Sequence, residues 1–312
     1  MLCQRWLALL AAAVTGWCFA AWGGERAEEG DEEELYRQAM SEGARSLAHG
    51  TKEGQAMALN LFKSARKYKP DSAEAHYWIG LTYSDYQSYA EAAAFAEQAT
   101  LLDSRYADAW HLWGQSLMYL MQWSEARQKL EQAHRLDPHN PLIIFNRGRC
   151  LFHGFNNRNE ALDLFKEVLR FEPANPSPAY LQVFNQARLY IGCCYQDRDM
   201  PAAIIHYNEV LKRDPRNIEA RYRLAVAYRK DGRFDRAEKE LQAVLVDSPL
   251  HAEALLQIGQ LYAADLPDAE LARAYLGKFV KVAREDHMWL PSARAWLADH
   301  PAADNARPAP KK

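Results

Sequence analysis

Residues 218–251 read IEARYRLAVAYRKDGRFDRAEKELQAVLVDSPLH, which is two amphipathic segments joined by a glycine-containing turn. Apolar residues spaced by three and four positions share one face of a helix, and both segments contain them at these spacings. Pro249 follows the second segment and marks the end of a helix. The stretch predicts a pair of helices whose apolar faces contain Leu224, Ala225, Tyr228, Ala237, Leu241 and Val244.

Three series of equivalent residues repeat this pattern along most of the chain. The alanine of the second helix recurs at steps of 34, 34, 35, 42, 34 and 35 residues: Ala58, Ala92, Ala126, Ala161, Ala203, Ala237 and Ala272. The small residue of the first helix recurs at steps of 34, 34, 44, 33 and 34: Gly80, Gly114, Gly148, Gly192, Ala225 and Gly259. A helix-ending position recurs at steps of 34, 34, 35, 42 and 34: Pro70, Ser104, Pro138, Pro173, Pro215 and Pro249. Three series in phase predict tandem repeats of one helix pair.

These residues resemble the tetratricopeptide repeat (TPR), a helix-turn-helix motif of about 34 residues. The resemblance implies an all-α fold, a right-handed superhelical solenoid of about seven helix-turn-helix repeats. We expect the solenoid over residues 33–290, a C-terminal capping helix over 291–300 and a disordered tail over 301–312. The expected repeats are about 33–72, 73–106, 107–140, 141–176, 177–217, 218–251 and 252–286.

Capping residues indicate where several helices begin. Ser88 with Glu91, and Asn157 with Glu160, have the spacing of a capping box, in which a side chain accepts a hydrogen bond from the first helical turn. Asn140 precedes a proline, a residue that suits the first turn of a helix. These residues predict helices that start just after positions 88, 140 and 157.

The fifth repeat is longer than the others. The helix-ending position and the next small residue are ten positions apart in the other repeats, but Pro173 and Gly192 are 19 apart. The nine extra residues predict a first helix from about Pro178 to Tyr195, some two turns longer than its neighbours. Two interpretations are open: an insertion on a binding face, or a longer helix that packs on the preceding repeat through Tyr180, Leu181 and Phe184.

The first residues form a separate element. Arg5 is the only charged residue in residues 1–22, and an apolar run from Trp6 to Trp22 follows it. A basic start, an apolar core and small residues at its end predict a secretory signal peptide, followed by an acidic linker over 23–32. The apolar run has 17 residues, the short limit for spanning a bilayer, so a membrane anchor at residues 6–22 is the alternative. Either form predicts export to the periplasm or cell envelope.

Composition and motifs exclude several classes of protein. The chain is 49% hydrophobic and 25% charged, which excludes a wholly disordered chain and a polytopic membrane protein. Lys and Arg total 38 against 41 Asp and Glu, so the basic excess typical of nucleic-acid-binding proteins is missing. The sequence has no glycine-rich phosphate loop, GxSxG motif or HExxH motif. We therefore predict no enzyme activity, no cofactor and no metal site.

Three cysteines follow the predicted signal peptide: Cys150, Cys193 and Cys194. Cys150 and Cys194 are equivalent positions of adjacent repeats. Packed helices lie about 8–10 Å apart, whereas a disulfide needs Cα atoms within about 7 Å. Buried free thiols are therefore expected. A disulfide formed in an oxidising compartment is the alternative.

The TPR resemblance also implies a partner-binding groove. In TPR arrays the inner wall is formed by first-helix residues that lie three and two positions before the small residue, and one and four after it. Aromatic rings supply contact area, and guanidinium groups orient carboxylates, so a partner segment with acidic character is expected, facing a locally basic wall in the later half of the array. The alternative is an ordinary solvated wall. The predicted groove residues at these positions are Tyr77, Trp78, His111, Gln115, Phe145, Asn146, Arg149, Tyr190, Tyr222, Arg223 and Arg229, and Gln186 of the fifth repeat is predicted with them.

Together these patterns predict a non-catalytic scaffold or adaptor that binds a partner protein or peptide. No binding to nucleic acid is expected, and the membrane is contacted only through the N-terminal segment if that segment is not cleaved. The alternative function is a membrane-anchored assembly factor that acts by self-association of its stacked repeats and binds no peptide.

Overall fold

The computed structural model describes residues 26–301, and this range consists of helices and turns with no β-strand. One π-helical turn spans Leu261–Asp265. The all-α prediction is therefore confirmed. In chain order the helices are α1 (Arg26–Ala48), α2 (Lys52–Tyr68), α3 (Ala73–Asp85), α4 (Tyr89–Leu102), α5 (Ala107–Tyr119), α6 (Trp123–Leu136), α7 (Pro141–Gly154), α8 (Arg158–Arg170), α9 (Pro178–Tyr195), α10 (Met200–Arg213), α11 (Ile218–Lys230), α12 (Phe234–Asp247), α13 (Ala252–Gln260), α14 (Ala269–Val282) and α15 (Leu290–Asp299).

Consecutive helices pack as pairs that follow the predicted repeats. The chain divides into two compact parts within α9, and we call the part ending at Ala187 the N-terminal block and the part beginning at Arg188 the C-terminal block. In the N-terminal block, α1 packs on α2, α3 on α4, α5 on α6 and α7 on α8. In the C-terminal block, α11 packs on α12, α13 on α14 and α14 on α15. The prediction of tandem helix pairs is confirmed.

The small residues of the first helices are required by close packing within each pair. A Cβ atom added to Gly114 would lie 2.7 Å from Leu130 Cγ, and one added to Gly148 would lie 2.7 Å from Phe165 Cε1. The sequence series missed Gly43, where a Cβ atom would lie 2.6 Å from Phe62 Cε1. All seven alanines of the second-helix series are fully buried. The two helices of a pair thus meet where neither has room for a larger side chain.

Two of the three predicted caps are present. Asn157 Oδ1 accepts a hydrogen bond from the Glu160 backbone N–H at 3.3 Å, and Asn140 Oδ1 accepts one from the Leu142 N–H at 3.1 Å. Ser88 precedes α4, but its side chain makes no capping hydrogen bond. Its backbone torsions are close to those of Asn157. The shorter serine side chain therefore does not reach a backbone N–H group of the first turn, whereas the longer asparagine side chain does.

The acidic segment expected as a linker over 23–32 belongs to α1 from Arg26 onward, which corrects that expectation. Carboxylates are favourable in the first turns of a helix because the helix dipole is positive there. Glu33 also pairs with Arg37 one turn later, at 3.2 Å, and with Lys69 at 3.3 Å. These contacts extend the first helix beyond the length that the repeat pattern predicts.

The predicted signal peptide or anchor, residues 1–22, lies outside the described residues, as does the predicted tail beyond residue 301. Between residues 26 and 301, no helix combines the length and the apolar character needed to cross a lipid bilayer.

The long first helix of the fifth repeat is confirmed, because α9 runs from Pro178 to Tyr195. Among its extra residues, Phe184 is 1% exposed and Val183 is buried, whereas Tyr180 and Leu181 are only partly buried. This burial favours the packing interpretation for the inner part of the extension.

The C-terminal end of the array differs from the regular repeat pattern in two helices. The first helix of the seventh repeat, α13, ends at Gln260 and continues as the π-helical turn. The final helix, α15, spans Leu290–Asp299, where a capping helix was expected over 291–300. Its residues Leu290 and Ala293 are buried in a cluster that includes Phe279 of α14.

The cysteine prediction is confirmed, because Cys150, Cys193 and Cys194 are buried free thiols. Burial raises the pKa of the Cys150 thiol to about 11. A protonated thiol is a weak nucleophile, so Cys150 behaves as a small core residue.

Replacing Gly148 with alanine tests the close packing. Phe165 is fully buried, and the new methyl group would lie 2.7 Å from its Cε1 atom, so the ring must shift within the core. We expect Gly148→Ala to lower the free energy of unfolding by about 1–2 kcal/mol, even though alanine favours a helix over glycine. Urea denaturation followed by circular dichroism measures the change.

Gly277, in the interior of α14, provides the matched control because nothing lies within 4 Å of a Cβ atom built there. Gly277→Ala is expected to raise the free energy of unfolding by about 0.5–1 kcal/mol. Equal stabilisation by both substitutions would show that the glycine at the helix crossing is not a packing requirement.

Candidate functional site

The structure brings three predicted groove residues together on the first helices of the third and fourth repeats. His111 lies on α5, and Asn146 and Arg149 lie on α7, a helix that contacts α5. Asn146 Nδ2 is 2.7 Å from His111 Nε2, and Arg149 Nη1 donates a hydrogen bond to Asn146 Oδ1 at 3.1 Å. We call this group the His111–Asn146–Arg149 cluster. All of it lies in the N-terminal block.

The helix crossing explains why these residues meet. Gly114 and Gly148 face the second helices of their repeats. His111 precedes Gly114 by three positions, and Asn146 and Arg149 flank Gly148 by two and one. These offsets place all three side chains on adjacent faces of neighbouring first helices.

The hydrogen bonds of the cluster have only one consistent direction. A guanidinium group donates and never accepts, so the oxygen of Asn146 must face Arg149. The amide nitrogen of Asn146 therefore faces His111 and donates to its Nε2 atom. The Nε2 atom of His111 must therefore carry no proton, so the proton of the neutral imidazole is on Nδ1.

The electrostatic environment also keeps His111 neutral. Burial, followed by the positive charge of Arg149, lowers the pKa of His111 to about 4. Protonation would add a second positive charge and would break the hydrogen bond from Asn146, which is itself only 3% exposed.

Arg149 is held in place but not neutralised. Its Cζ atom lies 5.8 Å from the ring centroid of Phe145 and 5.9 Å from that of Tyr119, within the range of cation–π contacts. Among residues 26–301, the contacts of Arg149 are with Asn146, Phe145 and Tyr119, and none of them is an ion pair with a carboxylate. A guanidinium group has five N–H donors, so this partly exposed side chain keeps donors for an anionic group.

The two other predicted arginines are neutralised within the C-terminal block. Arg223 Nε lies 2.6 Å from Glu219 Oε1. Arg229 Nε lies 2.6 Å from Asp265 Oδ2, and its Nη1 atom also donates to the side-chain oxygens of Gln257 and Gln260. The locally basic wall expected in the later half of the array is therefore compensated by internal carboxylates, and this expectation is corrected.

Two predicted groove residues lie in the core. Trp78 is 7% exposed and stacks on Phe62 with ring centroids 5.6 Å apart. Phe145 is 8% exposed, and its ring lies 5.8 Å from that of Phe165. Their burial leaves little surface for a partner.

The remaining predicted groove residues are partly buried and are not part of the cluster. The ring of Tyr77 lies 5.0 Å from that of Tyr106 in the N-terminal block. The ring of Tyr222 lies 5.3 Å from that of His251 in the C-terminal block. Gln115 lies on α5, and Gln186 and Tyr190 lie on α9.

Two tyrosines outside the set of predicted groove residues border the cluster. The rings of Tyr89 and Tyr119 stack with centroids 4.2 Å apart and planes 11° apart. Tyr119 is the last residue of α5, and Tyr89 is the first of α4. Both are aromatic residues at helix ends of successive repeats, which is the sequence feature that could have drawn attention to them.

Comparisons with known proteins agree with this architecture. Family models described as tetratricopeptide repeat match residues 56–109, 107–140 and 195–257. The class of protein is therefore established as a tandem helical-repeat protein, and its repeats in these three stretches are identified as tetratricopeptide repeats. A comparison with curated proteins returns no match.

Several solved structures share the fold. PilW, described as a widely conserved type IV pilus biogenesis factor, is 21% identical over 71% of this chain and 98% of its own, with a TM-score of 0.63. A tetratricopeptide repeat protein from Parabacteroides merdae is 16% identical over 85% of this chain and 98% of its own, with a TM-score of 0.60. PilF from Pseudomonas aeruginosa is 18% identical over 80% of this chain and 99% of its own, with a TM-score of 0.56. At these identities the similarity concerns the fold alone.

The pKa of His111 can be tested directly. Its value in the folded chain, about 4, is below the 6.5 of an ordinary histidine. As the pH falls from about 6.5 to about 4, the unfolded chain takes up this proton first, so the free energy of unfolding decreases, by at most about 3 kcal/mol. Nitrogen-15 spectra of the histidine side chains should show His111 with its proton on Nδ1 until the pH approaches 4.

The variant His111→Gln is the control, because it shows which part of the pH-dependent loss of stability comes from His111. Its side-chain oxygen can accept the hydrogen bond from Asn146, but it does not titrate. The fall in stability between about pH 6.5 and 4 should therefore become shallower in this variant. A His111 resonance that titrates near pH 6.5 would contradict the neutral, acceptor role.

Proposed function

We propose that this chain is a non-catalytic protein-interaction scaffold of the cell envelope, and that it binds a segment of a partner protein at the His111–Asn146–Arg149 cluster. The observation that carries the proposal is the state of Arg149. Its guanidinium group is oriented by Asn146 and flanked by aromatic rings, yet it has no carboxylate partner among the described residues.

The contrast with the other predicted arginines supports this choice of site. Arg223 and Arg229 are each 2.6 Å from a carboxylate of their own block. A partner that engaged them would have to displace an existing ion pair, and the gain would be small. A partner that binds Arg149 has no ion pair to displace. The guanidinium group is also oriented before binding, which reduces the entropy lost on association.

Export to the periplasm or another part of the cell envelope is the second part of the proposal. It rests on the basic start and apolar run of residues 1–22. The fold similarity to PilW, described as a pilus biogenesis factor, is compatible with that location.

The N-terminus of the purified protein tests export. If residues 1–22 act as a cleaved signal peptide, amino-terminal sequencing of the protein from its native cells should begin near Ala21 or Gly24. A start at Met1 together with recovery in the membrane fraction would instead indicate an anchor formed by residues 6–22. Recovery of a chain starting at Met1 in the cytosol would contradict export.

Binding can be tested by affinity capture from an envelope extract of the source organism. The bait is the chain without residues 1–22, and the variant is Arg149→Ala. We expect the variant to lose at least about 90% of the captured partner, which corresponds to the loss of a charged hydrogen-bonded contact of about 1.5–3 kcal/mol.

Arg135→Ala is the matched control for this experiment. Arg135 is an exposed arginine on α6 in the same block, and within residues 26–301 its side chain donates to Gln132 alone. This control should retain full capture. Equal capture by all three baits would remove the cluster from the binding surface. Self-association of the bait with no capture would contradict the scaffold and favour the assembly-factor alternative.

A further inference from the structure

The turn between α5 and α6 exposes apolar surface next to the cluster. Leu120 and Met121 are the two residues after Tyr119, and they are 39% and 75% exposed. Met121 also has a φ of 59°, in the left-handed region that large side chains seldom adopt. Gly232 occupies the equivalent turn of the sixth repeat, with a φ of 75°. A methionine at this position adds backbone strain and exposed apolar surface, and it gains little burial in return.

Tyr119 connects this turn to Arg149. Its side chain is 44% exposed, its ring stacks on Tyr89, and the guanidinium carbon of Arg149 lies 5.9 Å from its centroid. An apolar turn, an aromatic ring pair and an uncompensated positive charge are therefore adjacent. The apolar part and the charged part thus occur at one place.

We propose that Arg149, the Tyr89–Tyr119 ring pair and the Leu120–Met121 turn form one composite site. This site recognises a partner segment in which a carboxylate stands next to an aromatic or large aliphatic side chain. The inference rests on the proposed function and adds the chemistry of the ligand.

Each part of the ligand has a defined contact. The carboxylate accepts hydrogen bonds from the N–H groups of Arg149 that Asn146 leaves free, and such charged hydrogen bonds are stronger than neutral ones. The neighbouring apolar side chain packs on Tyr119 and covers Met121. A carboxylate alone leaves the apolar surface exposed, and an apolar group alone leaves the charge unpaired, so both are needed for full affinity.

Binding at Arg149 also has a reporter within the cluster. The hydrogen bonds run from Arg149 to Asn146 and from Asn146 to His111. A ligand that draws the guanidinium group toward itself changes the hydrogen bond that His111 receives. The imidazole resonances of His111 should therefore shift even though the ligand does not contact the ring.

Three small probes test the composition of the site in solution by nuclear magnetic resonance. N-acetylphenylalanine carries both groups, its carboxamide lacks the charge, and N-acetylglycine lacks the ring. We expect N-acetylphenylalanine to shift the Nε–H of Arg149, the methyl group of Met121 and the imidazole of His111 together. The other two probes should bind about tenfold more weakly. Equal binding of the carboxamide, or no binding of N-acetylphenylalanine, would overturn the inference.

Two variants separate the charged part from the apolar part. Arg149→Gln should abolish the difference between N-acetylphenylalanine and its carboxamide. Met121→Asn should weaken both by about the same factor without loss of stability, because asparagine tolerates the left-handed region, as Asn156 does in the fourth repeat with a φ of 49°. Unchanged binding by Met121→Asn would remove the turn from the site.

Gln87→Asn is the matched control, since Gln87 has the same turn conformation in the second repeat, with a φ of 63°. It should bind all probes like the unaltered chain. Capture of a partner that depends on Arg149 would support the proposed function. If the probes nevertheless bind without preference for the carboxylate, the composite site is wrong while the proposed function is retained.

Discussion

The close crossing of two helices at a glycine or alanine is the constraint on which the rest of this protein depends. At Gly114 and Gly148 the first helix meets a large buried side chain of the second, and a single added methyl group would overlap with it. This contact fixes the rotation of the first helix about its axis. Arg149 is the next residue after Gly148, so the packing of the pair also determines where its side chain points.

The repeat periodicity was sufficient to predict the helix pairs, the small residues at the crossings from the second repeat onward and the full length of α9. These features follow from spacing along the chain, and spacing is visible in the sequence. The contacts of a residue are not visible there. Trp78 and Asn146 occupy equivalent positions of their repeats, but Trp78 stacks on Phe62 whereas Asn146 forms a hydrogen bond with His111. Spacing identifies the face of a helix, whereas the neighbouring helix decides what that face contacts.

The charges illustrate the same limit more strongly. Arg149 and Arg229 both lie on first helices and both were expected to face a partner. Asp265 pairs with Arg229 from 36 positions along the chain, at the end of a π-helical turn that no sequence pattern indicated. Arg149 meets an amide and two rings in place of a carboxylate. Of the three arginines predicted to bind an acidic ligand, Arg149 is therefore the one that remains a candidate.

In five of the repeats the turn after the first helix contains a residue in the left-handed conformation: Gly50, Gln87, Met121, Asn156 and Gly232. The flanking helices impose this conformation, since three of the five residues are not glycines. The backbone cost is about 1 kcal/mol for a larger residue, and in a repeat protein it is confined to the repeat and its neighbours. Each turn can therefore exchange its side chain during evolution without rebuilding the helix pair, so new specificities can arise there one repeat at a time.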